Sequence, residues 1–129
     1  GERILLVDDE PQVARVTEMM LQSLGYTVRA FTDSRAALAA FRAAPETVDL
    51  LLTDMTMPEL TGMELTREAQ SLRADLPVIL CTGFNEQISE ERALAAGIRR
   101  FLYKPLRRRE LALAVGEVLA KGAEGEGGG

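Results

Sequence analysis

Five polar side chains in this sequence have the same kind of location: each lies just after a short, mainly apolar segment. Taken singly, each has an ordinary structural role, since aspartates commonly cap helices or turns and lysines are usually solvated. Taken together they offer acids, a hydroxyl and an amine, whose meaning depends on whether the fold gathers them. The five residues are Asp8, Asp9, Asp54, Thr82 and Lys104.

The acids of this set would repel one another if the fold brought them together. Two carboxylates 4 Å apart repel by roughly 4 kcal/mol at an effective dielectric constant near 20, so a compensating cation is expected. Mg²⁺ takes oxygen ligands and commonly uses only one or two carboxylates, which leaves positions for water and phosphate oxygens. Paired acids with a lysine and a hydroxyl therefore fit a magnesium-assisted phosphoryl-transfer site with a carboxylate nucleophile.

Apolar and alternating segments predict the strands that would position these residues. The wholly apolar runs are typical of strands buried on both faces. The second segment alternates between apolar and polar residues, as expected near the edge of a sheet. Strands are expected at residues 4–7, 26–31, 50–52, 78–81 and 100–103.

Amphipathic segments between the predicted strands indicate five helices. The alternation of strand and helix predicts right-handed crossovers and a parallel sheet covered by helices on both sides. Every strand of such a sheet ends at the same edge, so the five polar residues are expected to converge there. Helices are expected at about residues 11–24, 35–44, 63–73, 87–96 and 107–121.

The composition is that of one ordinary globular domain of 129 residues, 47% hydrophobic and 27% charged. The chain has no histidine and a single cysteine, Cys81, which excludes a disulfide framework and the usual zinc-ligand sets. No apolar run approaches the length of a membrane span. A net charge of −5 argues against direct nucleic-acid binding, which requires a basic face. We therefore expect a cytoplasmic protein with protein partners or a bound cation.

The ordered motifs resemble the receiver domain of bacterial two-component response regulators over about residues 3–119. This resemblance implies a flavodoxin-like (CheY-like) three-layer α/β sandwich with strand order 2-1-3-4-5 and five helices. The site would lie at the switch point between strands one and three. The segments around the third and fourth strands look more like receivers of hybrid sensor histidine kinases than like those that drive transcription. The motifs are Asp8-Asp9, Asp54 with Met57-Pro58, Thr82, and Lys104-Pro105.

The resemblance also implies a role for each acid. Asp54 would be the phosphoacceptor and would receive its phosphoryl group from a histidine kinase or a histidine phosphotransfer domain. Asp9 and Asp54 would bind Mg²⁺, or Mn²⁺, through their side chains. Asp8 would act mainly through water, and Thr56 would contribute its backbone carbonyl.

The remaining motif residues would form the switch. Lys104 would pair with the acyl phosphate, and the peptide bond before Pro105 is expected to be cis. Thr82 would hydrogen-bond a phosphoryl oxygen and draw its loop inward, which vacates space for Phe101, although plain core packing explains Phe101 nearly as well. Tyr103 lies on the same side of the strand and would share this role. The output face, also a candidate homodimer contact, would combine the fourth helix, the fifth strand and the last helix.

The tail after Lys121 is rich in glycine and glutamate. Such a composition cannot bury enough apolar surface to order itself and is typical of flexible linkers. We therefore assign residues 1–121 to the receiver domain and residues 122–129 to a disordered linker or tail.

Two other functions are compatible with this architecture. A flavin- or nucleotide-binding protein would need a glycine- or hydroxyl-rich first loop, whereas residues 8–10 are all acidic. A pseudo-receiver would keep the fold as an interaction module and would never carry phosphate. Because no site position is missing, the sequence favours a phosphoacceptor that catalyses its own phosphorylation and slow dephosphorylation and turns over no external metabolite.

Overall fold

Five parallel strands form a single sheet in the computed structural model, which describes residues 1–83 and 97–128, with side chains described as far as residue 120. The strands are β1 (Arg3–Val7), β2 (Thr27–Phe31), β3 (Leu50–Asp54), β4 (Val78–Thr82) and β5 (Arg100–Tyr103). Their spatial order is β2-β1-β3-β4-β5, and every neighbouring pair is parallel. The sequence prediction of the sheet is confirmed.

Four α-helices lie in the described part of the chain, where the sequence predicts five. The predicted helix at residues 87–96 falls outside the described residues. A 3₁₀ turn at Pro45–Thr47 was not predicted. The last helix continues to Gly128 and not to Lys121, so the predicted helix end is corrected, while the division into a domain and a linker stays a prediction. The helices are α1 (Pro11–Ser23), α2 (Ser34–Ala43), α3 (Gly62–Leu72) and α4 (Arg108–Gly128).

The two faces of the sheet are covered by different helices. On one face, Leu5 and Leu51 pack with residues of α2 and α3, among them the fully buried Phe41. On the other face, Leu6 packs with residues of α1 and α4, among them Leu111. Neighbouring residues of a strand point to opposite faces, so continuous apolar runs in β1 and β3 supply both layers. The edge strand β2 is only partly buried, as its alternating sequence predicts.

All five strands end at one edge of the sheet. The register pairs Val7 with Phe31 and with the residue before Asp54, and pairs Thr82 with Tyr103. The loops that leave these ends therefore start within a few strand spacings of one another. In the part of the chain that the structure describes, no helix has the length and apolar content needed to cross a membrane.

Candidate functional site

The loop after β1 carries three consecutive acids. Asp8, Asp9 and Glu10 each offer a carboxylate oxygen within 4.8 Å of the others. Asp8 is buried, and its Oδ1 accepts a hydrogen bond of 2.9 Å from the Glu10 N–H. The N-cap of α1 is Glu10, whose side chain makes no capping bond, so the ordinary explanation of Asp8 or Asp9 as a helix cap is wrong. Glu10 was not identified as a site residue from the sequence.

Asp54 is the last residue of β3 and is 4% exposed. Its Oδ1 accepts a 3.0 Å hydrogen bond from the Met55 N–H, and the Gly62 N–H donates to the Met55 carbonyl over 2.8 Å. A Cβ atom at Gly62 would lie 2.3 Å from the backbone oxygen of Asp54. The first turn of α3 therefore packs directly on the backbone of Asp54, and only glycine fits there.

Lys104 links the acids of the loop after β1 to the acid at the end of β3. Its Nζ lies 2.9 Å from Asp8 Oδ2, 3.2 Å from Asp54 Oδ1 and 3.9 Å from Glu10 Oε1. The backbone of Lys104 is fixed because its N–H donates to the Thr82 carbonyl over 2.9 Å. The peptide bond that follows, Lys104–Pro105, is cis, as expected from the sequence.

The environment of Lys104 favours its charged form. Burial alone would lower the pKa of the ammonium, but the hydrogen bond and charge of Asp8, followed by those of Asp54, outweigh that effect. The pKa of Lys104 is therefore raised above its ordinary value. Lys104 remains a cation at any physiological pH and cannot act as a general base here.

The cluster has more negative than positive charge. Asp8, Asp9, Glu10 and Asp54 stand against the single ammonium of Lys104, the one cation that the described residues bring into contact with them. All four offer hard carboxylate oxygens, the ligand type that Mg²⁺ prefers. The donor set therefore fits a divalent cation, and receiver domains typically bind Mg²⁺ at such an acidic pocket.

The predicted switch residues lie beside this cluster. Thr82 is buried at the end of β4 and its Oγ1 donates to the Gly83 carbonyl over 3.1 Å, so its hydroxyl is bonded within its own loop. Tyr103 stands opposite Thr82 in the register and is 55% exposed. Phe101 is partly buried and packs against the core on the side of α2 and α3. Core packing of Phe101 is thus observed, and its part in a switch stays a prediction.

A further polar residue lies near this edge, at the start of the helix that follows the second strand. Ser34 is 2% exposed, and its Oγ lies 3.2 Å from the Pro58 carbonyl and 3.3 Å from the Leu60 nitrogen. The capping role falls to Asp33, whose Oδ1 accepts from the Arg35 N–H over 2.9 Å. In the sequence, Ser34 directly follows the cap residue Asp33 and looks like a further capping group, so nothing there indicates its contact with the loop after β3.

Fold and site together define a CheY-like α/β protein with an acid and lysine cluster at the carboxyl edge of its sheet. The family model of the response regulator receiver domain matches residues 4–116 of the chain. The chain therefore belongs to the response regulator receiver domain family. The general function of this family is to accept a phosphoryl group in two-component signalling, and a pseudo-receiver is not favoured.

Relatives of this family come from several kinds of organism. The two-component response regulator ARR11 of Arabidopsis thaliana is 33% identical over 94% of this chain and 23% of its own length. The sensor protein EvgS of Escherichia coli is 35% identical over 80% of this chain and 8% of its own length. The solved receiver domain protein (CheY-like) of Methanospirillum hungatei is 30% identical, covers 95% of this chain and 97% of that one, and superimposes with a TM-score of 0.84.

The chain spans less than a quarter of the length of each of the two curated relatives named here. An origin of this domain in a hybrid kinase, which the sequence motifs suggested, stays a prediction. The activities of those longer proteins are not assigned to this chain.

Proposed function

We propose that this receiver domain carries its phosphoryl group on Asp54. The observation that supports the proposal is that Lys104 Nζ lies 2.9 Å from Asp8 Oδ2 and 3.2 Å from Asp54 Oδ1. One ammonium thus spans the acids of two strands, where it can offset the charge of a phosphoryl group on the neighbouring carboxylate. Asp54 is the acid to which the family pattern assigns the acceptor role.

In the proposed reaction, an oxygen of Asp54 attacks the phosphorus of a donor phosphohistidine in line. A new O–P bond forms while the N–P bond of the donor breaks, and the released imidazole takes a proton from solvent. Lys104, which faces Asp54 in the unphosphorylated protein, then faces the added phosphoryl oxygens. Slow hydrolysis later cleaves the O–P bond and returns the free carboxylate and inorganic phosphate.

The proposed metal ligands are the side chains of Asp9 and Asp54, the backbone carbonyl of Thr56, and Asp8 mainly through water. When bound, Mg²⁺ or Mn²⁺ would supply positive charge opposite the phosphoryl oxygens. Glu10, with a side chain 64% exposed, adds negative potential at the entrance, which favours capture of a cation from solution.

The proposed switch follows from the bonds of the unphosphorylated site. The Thr82 hydroxyl would exchange the Gly83 carbonyl for a phosphoryl oxygen, which moves the loop after β4. Phe101 and Tyr103 would respond on the next strand, as a shift between two existing populations. The output face would comprise the predicted fourth helix, β5 and α4, and a homodimer through this face belongs to the same proposal.

The proposed donor is a histidine kinase or a histidine phosphotransfer domain in the cytoplasm. A groove of about 270 Å³ lies between α1 and the loop after β5, and Lys104 forms part of its wall beside Val13, Val16 and Met20. Val16 is 56% exposed. A protein that delivers its imidazole to Asp54 would cover this apolar groove, and direct contact with nucleic acid or a membrane is not part of the proposal.

The test is the intact mass of the protein after incubation with acetyl phosphate and Mg²⁺. We expect the wild type to gain one phosphoryl group, and we expect no gain for Asp54→Asn or for the wild type after chelation of Mg²⁺. Asparagine has nearly the same shape as aspartate but is no nucleophile, so it isolates the chemical role of the carboxylate.

Two other results would refute parts of the proposal. A wild type that gains no phosphoryl group under these conditions would be a pseudo-receiver. A gain of equal size in Asp54→Asn would place the acceptor on another residue, and peptide mapping would then identify it.

A further inference from the structure

The loop between β3 and α3 contains a strained turn. The Leu60 N–H donates to the Pro58 carbonyl over 2.8 Å, which closes a three-residue γ-turn, and the intervening Glu59 has a φ of +70°. A γ-turn with positive φ is rare, and the conformation is unfavourable for any residue with a Cβ atom. Such strain persists only where neighbouring structure holds it, and it is concentrated at functional sites.

Ser34, the first residue of α2, contacts both ends of this turn. Its hydroxyl donates to the Pro58 carbonyl over 3.2 Å and accepts from the Leu60 N–H over 3.3 Å. Ser34 is 2% exposed, so water does not compete freely for these groups. The ion pair between Arg35 and Glu59, at 3.4 Å, joins side chains that are both more than half exposed and contributes little.

The strained turn lies in the loop that starts at Asp54. One end of the loop is fixed because the Gly62 N–H bonds to the Met55 carbonyl. The other anchor is Met57, which is buried in the core. Thr56 lies between these anchors, so the path of its backbone depends on the turn that directly follows Met57.

We propose that Ser34 is a positioning residue for the phosphorylation site, which it serves by holding the turn at Glu59 and with it the Thr56 carbonyl. This role rests on the proposed function, in which that carbonyl binds the divalent cation. Loss of the hydroxyl removes a donor from Pro58 and an acceptor from Leu60. Glu59 can then leave the left-handed region, and the turn no longer constrains the backbone at Thr56.

The first experiment compares Ser34→Ala with Val118→Ala, a control that shortens a core side chain of α4 far from the loop. The probes are amide hydrogen exchange at Leu60 and a titration with Mg²⁺ alone. In Ser34→Ala we expect Leu60 to exchange about tenfold faster and the Mg²⁺ dissociation constant to rise about three- to tenfold. Val118→Ala is expected to lower thermal stability and to leave both quantities at the wild-type level.

A second experiment uses Glu59→Gly to remove the strain itself. Glycine adopts positive φ without steric cost, so the turn should persist without help from Ser34. We therefore expect Ser34→Ala to raise the Mg²⁺ dissociation constant less in the Glu59→Gly background than in the wild type. An equal rise in both backgrounds would overturn the proposed route through the turn.

The remaining outcomes separate this role from the proposed function. If the wild type is phosphorylated on Asp54 while Ser34→Ala matches it in Leu60 exchange and in Mg²⁺ affinity, the positioning role alone is refuted. If the wild type gains no phosphoryl group from acetyl phosphate, the proposed function fails, and the positioning role fails with it.

Discussion

The two edges of the sheet hold their charges in opposite ways. At the amino edge, Asp49 Oδ2 accepts from the Arg3 backbone N–H at 2.7 Å and from its Nε at 3.3 Å, and both side chains keep at least 35% of their surface exposed. At the carboxyl edge, Asp8 and Asp54 are almost fully buried and share Lys104 with further acids. At the amino edge the acid has its own basic partner. The carboxyl edge has surplus negative charge, and binding of a cation or addition of a phosphoryl group would change its contacts.

The backbone shows the same contrast. At the amino edge, the Arg73 guanidinium donates to the carbonyls of Pro45 and Val48, so a side chain ties down the turn before β3. At the carboxyl edge, α3 begins in direct contact with Asp54 at Gly62, and Glu59 has positive φ. The backbone of the amino edge is thus held by hydrogen bonds. The tight backbone contact at Gly62 and the strained residue Glu59 lie instead beside the proposed phosphorylation site.

The close approach at Gly62 should give the largest effect. A Cβ atom there would lie 2.3 Å from the Asp54 backbone oxygen, so Gly62→Ala must displace backbone and not a flexible side chain. We expect a loss of about 3 kcal/mol or more in the free energy of unfolding, measured with urea. The control is Gly116→Ala in α4, where a Cβ atom meets nothing within 4 Å; it should stabilise by about 0.5–1 kcal/mol. Similar effects at both glycines would contradict the steric argument.

Removing the shared cation should give the next effect. Without divalent cations, Lys104→Met leaves two buried carboxylates without their ammonium, and we expect a loss of about 2 kcal/mol. The matched change at the other edge, Arg3→Met, breaks an exposed pair and should cost about 1 kcal/mol or less. Added Mg²⁺ should restore more stability to Lys104→Met than it adds to the wild type, because the ion replaces the lost charge. Equal stabilisation of the two proteins by Mg²⁺ would show that the acids do not form one site.

Topology explains which parts of this contrast could be predicted from the sequence. Alternating strands and helices imply a parallel sheet, and a parallel sheet brings Asp8, Asp54 and Lys104 to one edge whatever their distance along the chain. The role of Ser34 could not be predicted in this way, because it depends on a buried contact with Pro58, 24 residues away. Next to the cap residue Asp33, a serine looks like a second capping group.

Glu10 is a second residue of the site that the sequence pattern did not identify. Glu10 follows two aspartates and precedes a proline, so its pattern is that of an ordinary helix start. Its place in the cluster is seen only in the folded chain, where its carboxylate lies near those of Asp8 and Asp9 and 3.9 Å from the Lys104 ammonium. Sequence pattern thus identifies the strand ends, whereas the residues that shape the site from neighbouring loops emerge from packing.

The smallest effect is expected from the acid at the amino edge, and it depends on pH. Partial burial raises the pKa of Asp49, but the backbone N–H, side chain and charge of Arg3 outweigh this and hold the pKa below its usual 3.8. A lowered pKa in the folded state means that Asp49 stabilises the fold above its unfolded-state pKa and loses this contribution as the pH falls through its folded-state pKa. At pH 7, Asp49→Asn should therefore be less stable than the wild type, by less than about 1 kcal/mol because the pair is partly solvated.

The measurement compares urea unfolding of the wild type and Asp49→Asn between pH 7 and pH 2. Acids elsewhere in the chain titrate alike in both proteins, so the difference in stability isolates Asp49. This difference should be constant from pH 7 to about pH 5 and should shrink below the usual pKa of 3.8. If it instead persisted unchanged to pH 2, the charge of Asp49 would not be the source of the difference, and the contrast between an ion-paired amino edge and the acidic carboxyl edge would fail.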